Sequence, residues 1–174
     1  MTCEIKTLTT EPETCAMLSD LLIETVANGG SVSFMHPLAP EAAIAFWDNA
    51  LAAAARNERI VLGALCGEEL VGTVTLLLDC PPNQPHRAEI VKLMTRLDTR
   101  GRGVATALMQ EAEKFAAERG RTLLVLDTAT DSGASSLYER LGFTLTGVIP
   151  DYALKPYGGL TGTMIYWKRI GQKT

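Results

Sequence analysis

The chain has 174 residues, about the size of one domain and long enough to bury an apolar core without metals or disulfides. Its 16 Lys and Arg against 20 Asp and Glu leave a net charge of −4, with the basic residues scattered, so no field exists to attract a phosphate backbone and nucleic acid is not expected as a partner. Cys3, Cys15, Cys66 and Cys80 lack C-x-x-C spacing and are expected to be reduced, mostly structural thiols. The polar, acidic opening MTCEIKTLTTEPET does not read as a secretory signal, and no apolar run reaches membrane-spanning length; the expectation is a cytoplasmic globular protein with no membrane partner.

Glu4 to Leu8 alternates polar and apolar residues as a short first strand, and Thr10-Glu11-Pro12-Glu13 offers a helix start with acids in its first turn. Leu18, Leu21, Leu22 and Val26 recur at helical spacing until Asn28-Gly29-Gly30 stops the helix. A loop over Gly30 to Leu38 leads to Pro40-Glu41 and an alanine-rich helix over Ala42 to Arg56. IVLGALC from Ile60 and LVGTVTLLL from Leu70, joined at Gly67-Glu68-Glu69, predict a hairpin; Pro81 to Pro85 is a connection, and a fourth strand follows over roughly Arg87 to Arg96. Gly103 to Arg119 carries Val104, Leu108, Ala112 and Phe115 on one helical face, with Gly120 as its stop. Thr122 to Asp127 is nearly all apolar and predicts a central strand covered on both faces. Ser132 to Leu141 is a short helix capped by Asp131 or Ser132, Phe143 to Val148 a strand, Pro150 to Leu160 a loop, and Thr163 to Lys168 the last strand.

Arg100-Gly101-Arg102-Gly103-Val104-Ala105 lies between a strand and a helix, so amide N–H groups and the helix N-terminus converge on a point that favours an anion. Side chains at Gly101 or Gly103 would hold the ligand away, and Arg100 and Arg102 can add charge-assisted bonds; an ordinary strand-to-helix turn with two solvated arginines remains the plain alternative. A dinucleotide fold would use Gly101 and Gly103 with Asp127 as the ribose acid. Thr106 replaces the third glycine, however, no buried strand precedes the motif, and too little chain follows it. No P-loop motif occurs.

These residues resemble the Q/R-x-x-G-x-G/A signature of the GNAT acetyltransferases, and LLVLDTATDSGASSLYERLGF is similar to that family's second block, a strand and a helix carrying A-x-x-x-Y and ending in G-F. GGSVSF, RAEIVKLM, LLVLDT and LTGTMIYWK also resemble the tabtoxin-resistance subgroup. The resemblance implies an α/β fold: a mixed sheet of about seven strands, splayed between strands four and five, with helices on both faces, as a single domain over residues 1–174. It implies acetyl-CoA in the splay, with backbone at Leu93, Met94 and Thr95 along the pantetheine arm and amides from Arg100 to Thr106, including Val104 and Ala105, on the pyrophosphate. Asp131 stands where many relatives carry Asn. Dimers are common among relatives, so a homodimer is open.

Transfer to an amine needs the neutral nucleophile, yet a lysine-like amine is only about one part in a few thousand neutral at pH 7. Glu89 and Asp127 flank the expected gap and are candidate general bases through water; Glu89 could instead be a solvated partner of Arg87, and Asp127 a strand-end group binding backbone amides. Tyr138, matching A-x-x-x-Y with Ala134, is the candidate acid for the departing thiolate, against a role in packing. Phe34, His36, Trp47, Tyr152 and Tyr157 could line an acceptor pocket between the 30–38 and 150–160 loops or simply cover the core. His36 has no second ligand near it, so no metal is expected, and neither Cys66 nor Cys80 has a feature that would make it an acyl carrier. The expected function is direct acetyl transfer to a small-molecule primary amine, such as an antibiotic, toxin or amino-acid-like compound, with a polyamine or a protein N-terminus also open as acceptor. The alternatives are a non-catalytic acetyl-CoA binder and, more remotely, an NAD-dependent reductase.

Overall fold

A computed structural model describes residues 3–171. The apolar patterning and turn residues resolve into β1 (Glu4–Thr7), α1 (Pro12–Ala27), α2 (Pro40–Ala55), β2 (Arg59–Cys66), β3 (Glu69–Leu77), β4 (Arg87–Thr95), a 3-10 turn (Leu97–Thr99), α3 (Val104–Glu118), β5 (Leu123–Ala129), α4 (Ser135–Arg140), β6 (Thr144–Leu154) and β7 (Leu160–Arg169). The strands form one mixed sheet in the order β1-β2-β3-β4-β5-β7-β6, antiparallel except where β4 runs parallel to β5.

The helices end alike. Gly29, Asn57, Gly120 or Gly142 takes up a left-handed conformation past the last turn, and its amide and the next one fold back onto the helix's closing carbonyls. At α4 this bonds the Phe143 amide to the Tyr138 carbonyl at 3.0 Å and sets the two rings edge-on at 6.1 Å, which braces Tyr138 from behind.

α1 and α2 cover one face of the sheet, burying Leu18, Leu22, Trp47, Leu51 and Val61; α3 and α4 cover the other, burying Leu62, Leu76, Leu108, Leu124 and Tyr166. β3 lies beneath both layers and is buried along most of its length. A Cβ at Gly72 would stand 2.9 Å from Val104 and 3.1 Å from Leu108, so glycine lets the start of α3 seat directly against β3.

Four expectations are corrected. β5, nearly all apolar, is not covered on both faces: Leu124 and Leu126 are buried but Leu123 and Val125 only partly, since α1 and α2 lie over β2, β3 and β4. Residues 150–160 are mostly strand, closed by a tight turn in which Lys155 N donates to Gly159 O at 2.9 Å. Pro150 is tolerated there because Pro150, Asp151 and Tyr152 bulge out opposite Gly162 alone, where no ladder donor is needed. α4 begins at Ser135, with neither Asp131 nor Ser132 as its cap residue. Cys3 and Cys66 are joined in a disulfide, because the β1–β2 register that pairs Glu4 with Leu65 sets them opposite, Cα atoms 4.3 Å apart; Cys15 and Cys80 are free.

Candidate active site

β4 and β5 pair only from Arg87–Glu89 to Leu123–Val125. Two residues later β4 bulges: Thr75 faces Val91 and Thr73 faces Met94, so Lys92 and Leu93 together oppose Val74, and Lys92 takes φ of 55°. The bulge swings the rest of β4 away from β5, leaving that edge unpaired above a cleft of about 700 Å³. Leu93, Met94 and Thr95 line one wall of the cleft, and Thr128, Ala129 and Tyr138 line another.

The cleft runs into the start of α3. α1 and α2 carry Glu13 and Glu41 in their first turns, whereas α3 has neither an acid there nor a side-chain cap. Its N-cap is Gly103, at φ of 84°, with Gly101 at 75° two residues before. The amides of Arg100 and Arg102 close local turns onto Leu97 O and Thr99 O, each at 3.3 Å, while a helix start leaves the N–H groups of Val104, Ala105 and Thr106 without intrahelical partners. The outcome is an electropositive backbone pocket with no acid of its own to fill it, which suits a pyrophosphate. Arg100, Gly101, Gly103, Val104, Ala105 and Thr106 line the cleft; Arg102 is exposed outside it. Arg96 ties this turn to the rest of the fold: its guanidinium pairs with Glu24 of α1, whose other oxygen accepts Leu97 N at 3.3 Å.

Tyr138 is buried at 6% exposure and reaches the cleft from the α3 face. Burial pushes its hydroxyl up to about 12; the Thr128 hydroxyl beside it offsets part of that, and the charge of Asp127 adds to it. Asp127 points to the opposite, uncovered face of β5 and accepts a hydrogen bond from Thr163 Oγ1 at 2.9 Å. Glu89 sits at the last β4–β5 pair before the splay, with Arg87 Nη1 at 3.3 Å from its carboxylate.

The two loops expected to flank the acceptor meet. His36 stacks on Tyr157 with centroids 4.3 Å apart, His36 N donates to Pro156 O at 2.9 Å, and Tyr157 Oη donates to Ala27 O at 2.6 Å. Phe34 is half-buried, edge-on to Phe46. Trp47 does not reach this wall: it is fully buried between α1 and α2 and packs against Phe46. Tyr152 stands exposed on the β6 bulge. Asn28 and Gly29 also line the cleft, which sequence reasoning missed, together with Gly30, Ser31 and Val32 of the loop expected on the acceptor side; a Cβ at Gly30 would lie 2.5 Å from Thr25 Cγ2, so glycine alone lets the chain turn back there.

A splayed parallel pair, a bulged strand and an uncapped glycine-led helix start are now joined by a match to the Acetyltransferase (GNAT) family over residues 23–143, more than half of the chain. The chain belongs to the GNAT family of acetyltransferases. This GNAT chain is 39% identical over 83 residues to N-acetyltransferase 8B of Rattus norvegicus, a stretch that covers 47% of its own length and 37% of the relative's. Its fold is similar to that of ribosomal-protein-alanine N-acetyltransferase from Brucella melitensis, at a TM-score of 0.82 and 20% identity over 96% of this chain and 99% of that one. A Salmonella typhimurium putative acetyltransferase, solved with its cofactor acetyl-CoA, superposes at 0.81 with 15% identity over 100% and 97%. GNAT enzymes are acyltransferases that use acetyl-CoA. Among the described residues no helix is long and apolar enough to cross a membrane.

Proposed function

We propose that this chain is a cytoplasmic, single-domain N-acetyltransferase that passes an acetyl group from acetyl-CoA directly to a primary amine of a small molecule. The observation that carries the reading is the continuity of one cleft from the glycine-led start of α3, past the unpaired edge of β4, to the buried hydroxyl of Tyr138. The cleft fits the donor: left-handed glycines keep side chains out of the pyrophosphate position, and Leu93, Met94 and Thr95 offer an unpaired strand edge to an amide-bearing arm. When bound there, acetyl-CoA supplies a thioester carbonyl open to attack by an uncharged amine.

Asp127 takes up the acceptor's proton, directly or through water, because it lies on the uncovered side of β5 beside the splay and Thr163 fixes its carboxylate. Glu89, already engaged by Arg87, is the secondary candidate. Tyr138 stays protonated and donates from Oη toward the departing sulfur. With its pKa pushed up to about 12, full proton transfer to a thiolate near 8.5 is uphill by about 5 kcal/mol, so hydrogen-bond donation carries the stabilisation until late in the step. His36, Tyr157 and Phe34 form the acceptor wall. The phrases GGSVSF and RAEIVKLM support the tabtoxin-resistance subgroup as the finer placement, and with it an antibiotic, toxin or amino-acid-like acceptor. Exposed Leu145, Val148, Ile149 and Leu154 on the outer strand β6 support a homodimer, which the mass in solution tests.

Free-thiol release from acetyl-CoA across a panel of amines, amino acids and dipeptides tests the transferase, with Asp127→Asn as control. Turnover by the wild type, with a variant whose kcat falls by about tenfold or more while its acetyl-CoA binding is kept, supports the reading. Donor binding without release to any acceptor would leave a non-catalytic acetyl-CoA-binding module.

A further inference from the structure

Lys92 has no part in the scheme above, and its surroundings are unusual for a lysine. It sits at the β4 bulge with φ of 55°, a conformation that costs a side-chain-bearing residue free energy. The bulge delivers its ammonium to the mouth of the splay on the same face as Asp127. There Nζ donates to Ser33 Oγ at 3.1 Å and lies 5.9 Å and 5.6 Å from the ring centroids of Phe34 and Phe46. Burial lowers its pKa and the charge of Asp127 raises it. The other described lysines, Lys6, Lys114, Lys155 and Lys168, each make an ion pair, while Lys92 makes none among the described residues.

A half-buried ammonium held by one hydroxyl and two aromatic faces is incompletely compensated, since the rings offset only part of the lost hydration. Such a group gains most from an anion brought by a ligand. The neighbouring residues on this face are those of the acceptor side: Ser33 and Phe34 on the loop that stacks against Tyr157, and Asp127 across the gap. An acceptor that turns its amine toward Asp127 therefore has a cation within reach of its other end.

We propose that Lys92 binds an anionic group of the acceptor, and that the acceptor is accordingly an amine bearing a nearby carboxylate, of the amino-acid type, rather than a polyamine or a simple alkylamine. This rests on the transferase reading above. Lys92 is a specificity residue here: it recognises the acceptor and moves no proton. A second cationic end, as in a polyamine, would meet like charge at the same place.

The test uses the full chain with free amino acids, their methyl esters and the corresponding decarboxylated amines. These sets keep the side chain and the amine while removing the negative charge. Thiol release gives kcat/KM for each, and calorimetry on the CoA-loaded protein gives binding without turnover. The expected result is a preference of about tenfold or more for free acids over their esters, expressed in KM, that falls to near one in Lys92→Met and is largely kept in Lys92→Arg. Wild-type protein that uses esters or simple amines as well as acids, or a preference unchanged in Lys92→Met, would overturn the assignment. Thiol release with none of the compounds would count against the transferase reading instead, and the binding arm then decides on Lys92: charge-dependent binding lost in Lys92→Met and kept in Lys92→Arg supports it, whereas equal binding or none overturns it. A circular dichroism spectrum of each variant excludes misfolding as the cause of a loss.

Discussion

Where the β4–β5 splay meets α3, the protein presents backbone; around the 31–39 loop and the 155–159 turn, it presents side chains. At the donor end the groups that matter are amides at a helix start, glycines with φ of 75° and 84°, and an unpaired strand edge. At the proposed acceptor end they are an imidazole stacked on a phenol, a lysine over two rings and an exposed carboxylate. The family match over residues 23–143 includes the proposed donor end together with Phe34, His36, Lys92 and Asp127, and stops before the 155–159 turn. Backbone machinery suits one unvarying donor, as proposed for this end, and leaves a short motif in the sequence. Single side chains, on the loops or projecting from β4 and β5, are free to follow the acceptor and leave none.

The sharpest way to break this division is at its boundary with the core. Trp47, expected on the acceptor wall, fills the space between α1 and α2 at 0% exposure. Trp47→Ala should therefore cost about 3–5 kcal/mol of folding stability by denaturant titration, from lost burial plus the cavity left behind. Variant protein of near wild-type stability with a raised acceptor KM would return Trp47 to the acceptor wall.

Tyr138 separates chemistry from donor binding. Tyr138→Phe keeps the ring that packs on Phe143 and Tyr166 but loses the hydroxyl, so kcat should fall on the order of 100-fold with the acetyl-CoA Kd little changed. Because its pKa is raised to about 12, the hydroxyl remains protonated through pH 10, and the wild-type rate should hold its plateau there. A wild-type decline with midpoint below pH 10 that vanishes in Tyr138→Phe would show an ionising acid and contradict the burial argument.

Gly103 tests the backbone half directly. A Cβ there meets no protein atom within 4 Å, so any penalty comes from φ of 84° or from a side chain standing in the pyrophosphate position, and not from crowding within the fold. Gly103→Val should shift the local turn and weaken acetyl-CoA by about tenfold in calorimetry, with acceptor preference unaltered. An unchanged Kd would mean that the start of α3 is not the anion site.

The elements that sequence reading located, and those it missed, follow the same division. Strand and helix order came from apolar periodicity, and the cradle from two glycines opening a helix, because both are local. The Cys3–Cys66 bond and the bulge at Lys92 depend on strand register, which relates residues far apart: 63 positions separate the two cysteines. Only the far end of the β6–β7 ribbon, residues 149–154 and 160–162, was hidden, because Pro150 and two glycines carry turn chemistry, yet an edge strand can absorb a proline in a bulge. Trp47 was misplaced although Ala43, Ala50 and Leu51 share its helical face and are all buried, a stripe that marks the core side of α2.

Tyr157 is the residue at which the two ends are mechanically joined, and the smallest expected effect belongs there. Its ring stacks on His36 in the acceptor wall, and its hydroxyl bonds the Ala27 carbonyl at the end of α1, immediately before the Asn28 to Val32 segment that lines the donor cleft. Tyr157 is exposed, so water can replace the lost partner and removing one hydrogen bond should cost about 0.5–1.5 kcal/mol at most. Tyr157→Phe should then raise acceptor KM and acetyl-CoA Kd together, each about two- to threefold, because loosening Ala27 frees the loop on both sides. A change in acceptor KM alone would show that the wall is built by the stack on His36 and owes nothing to the bond to α1. A change in Kd alone would place Tyr157 with the donor end, and the cleft would divide one residue further toward solvent than the stacking implies.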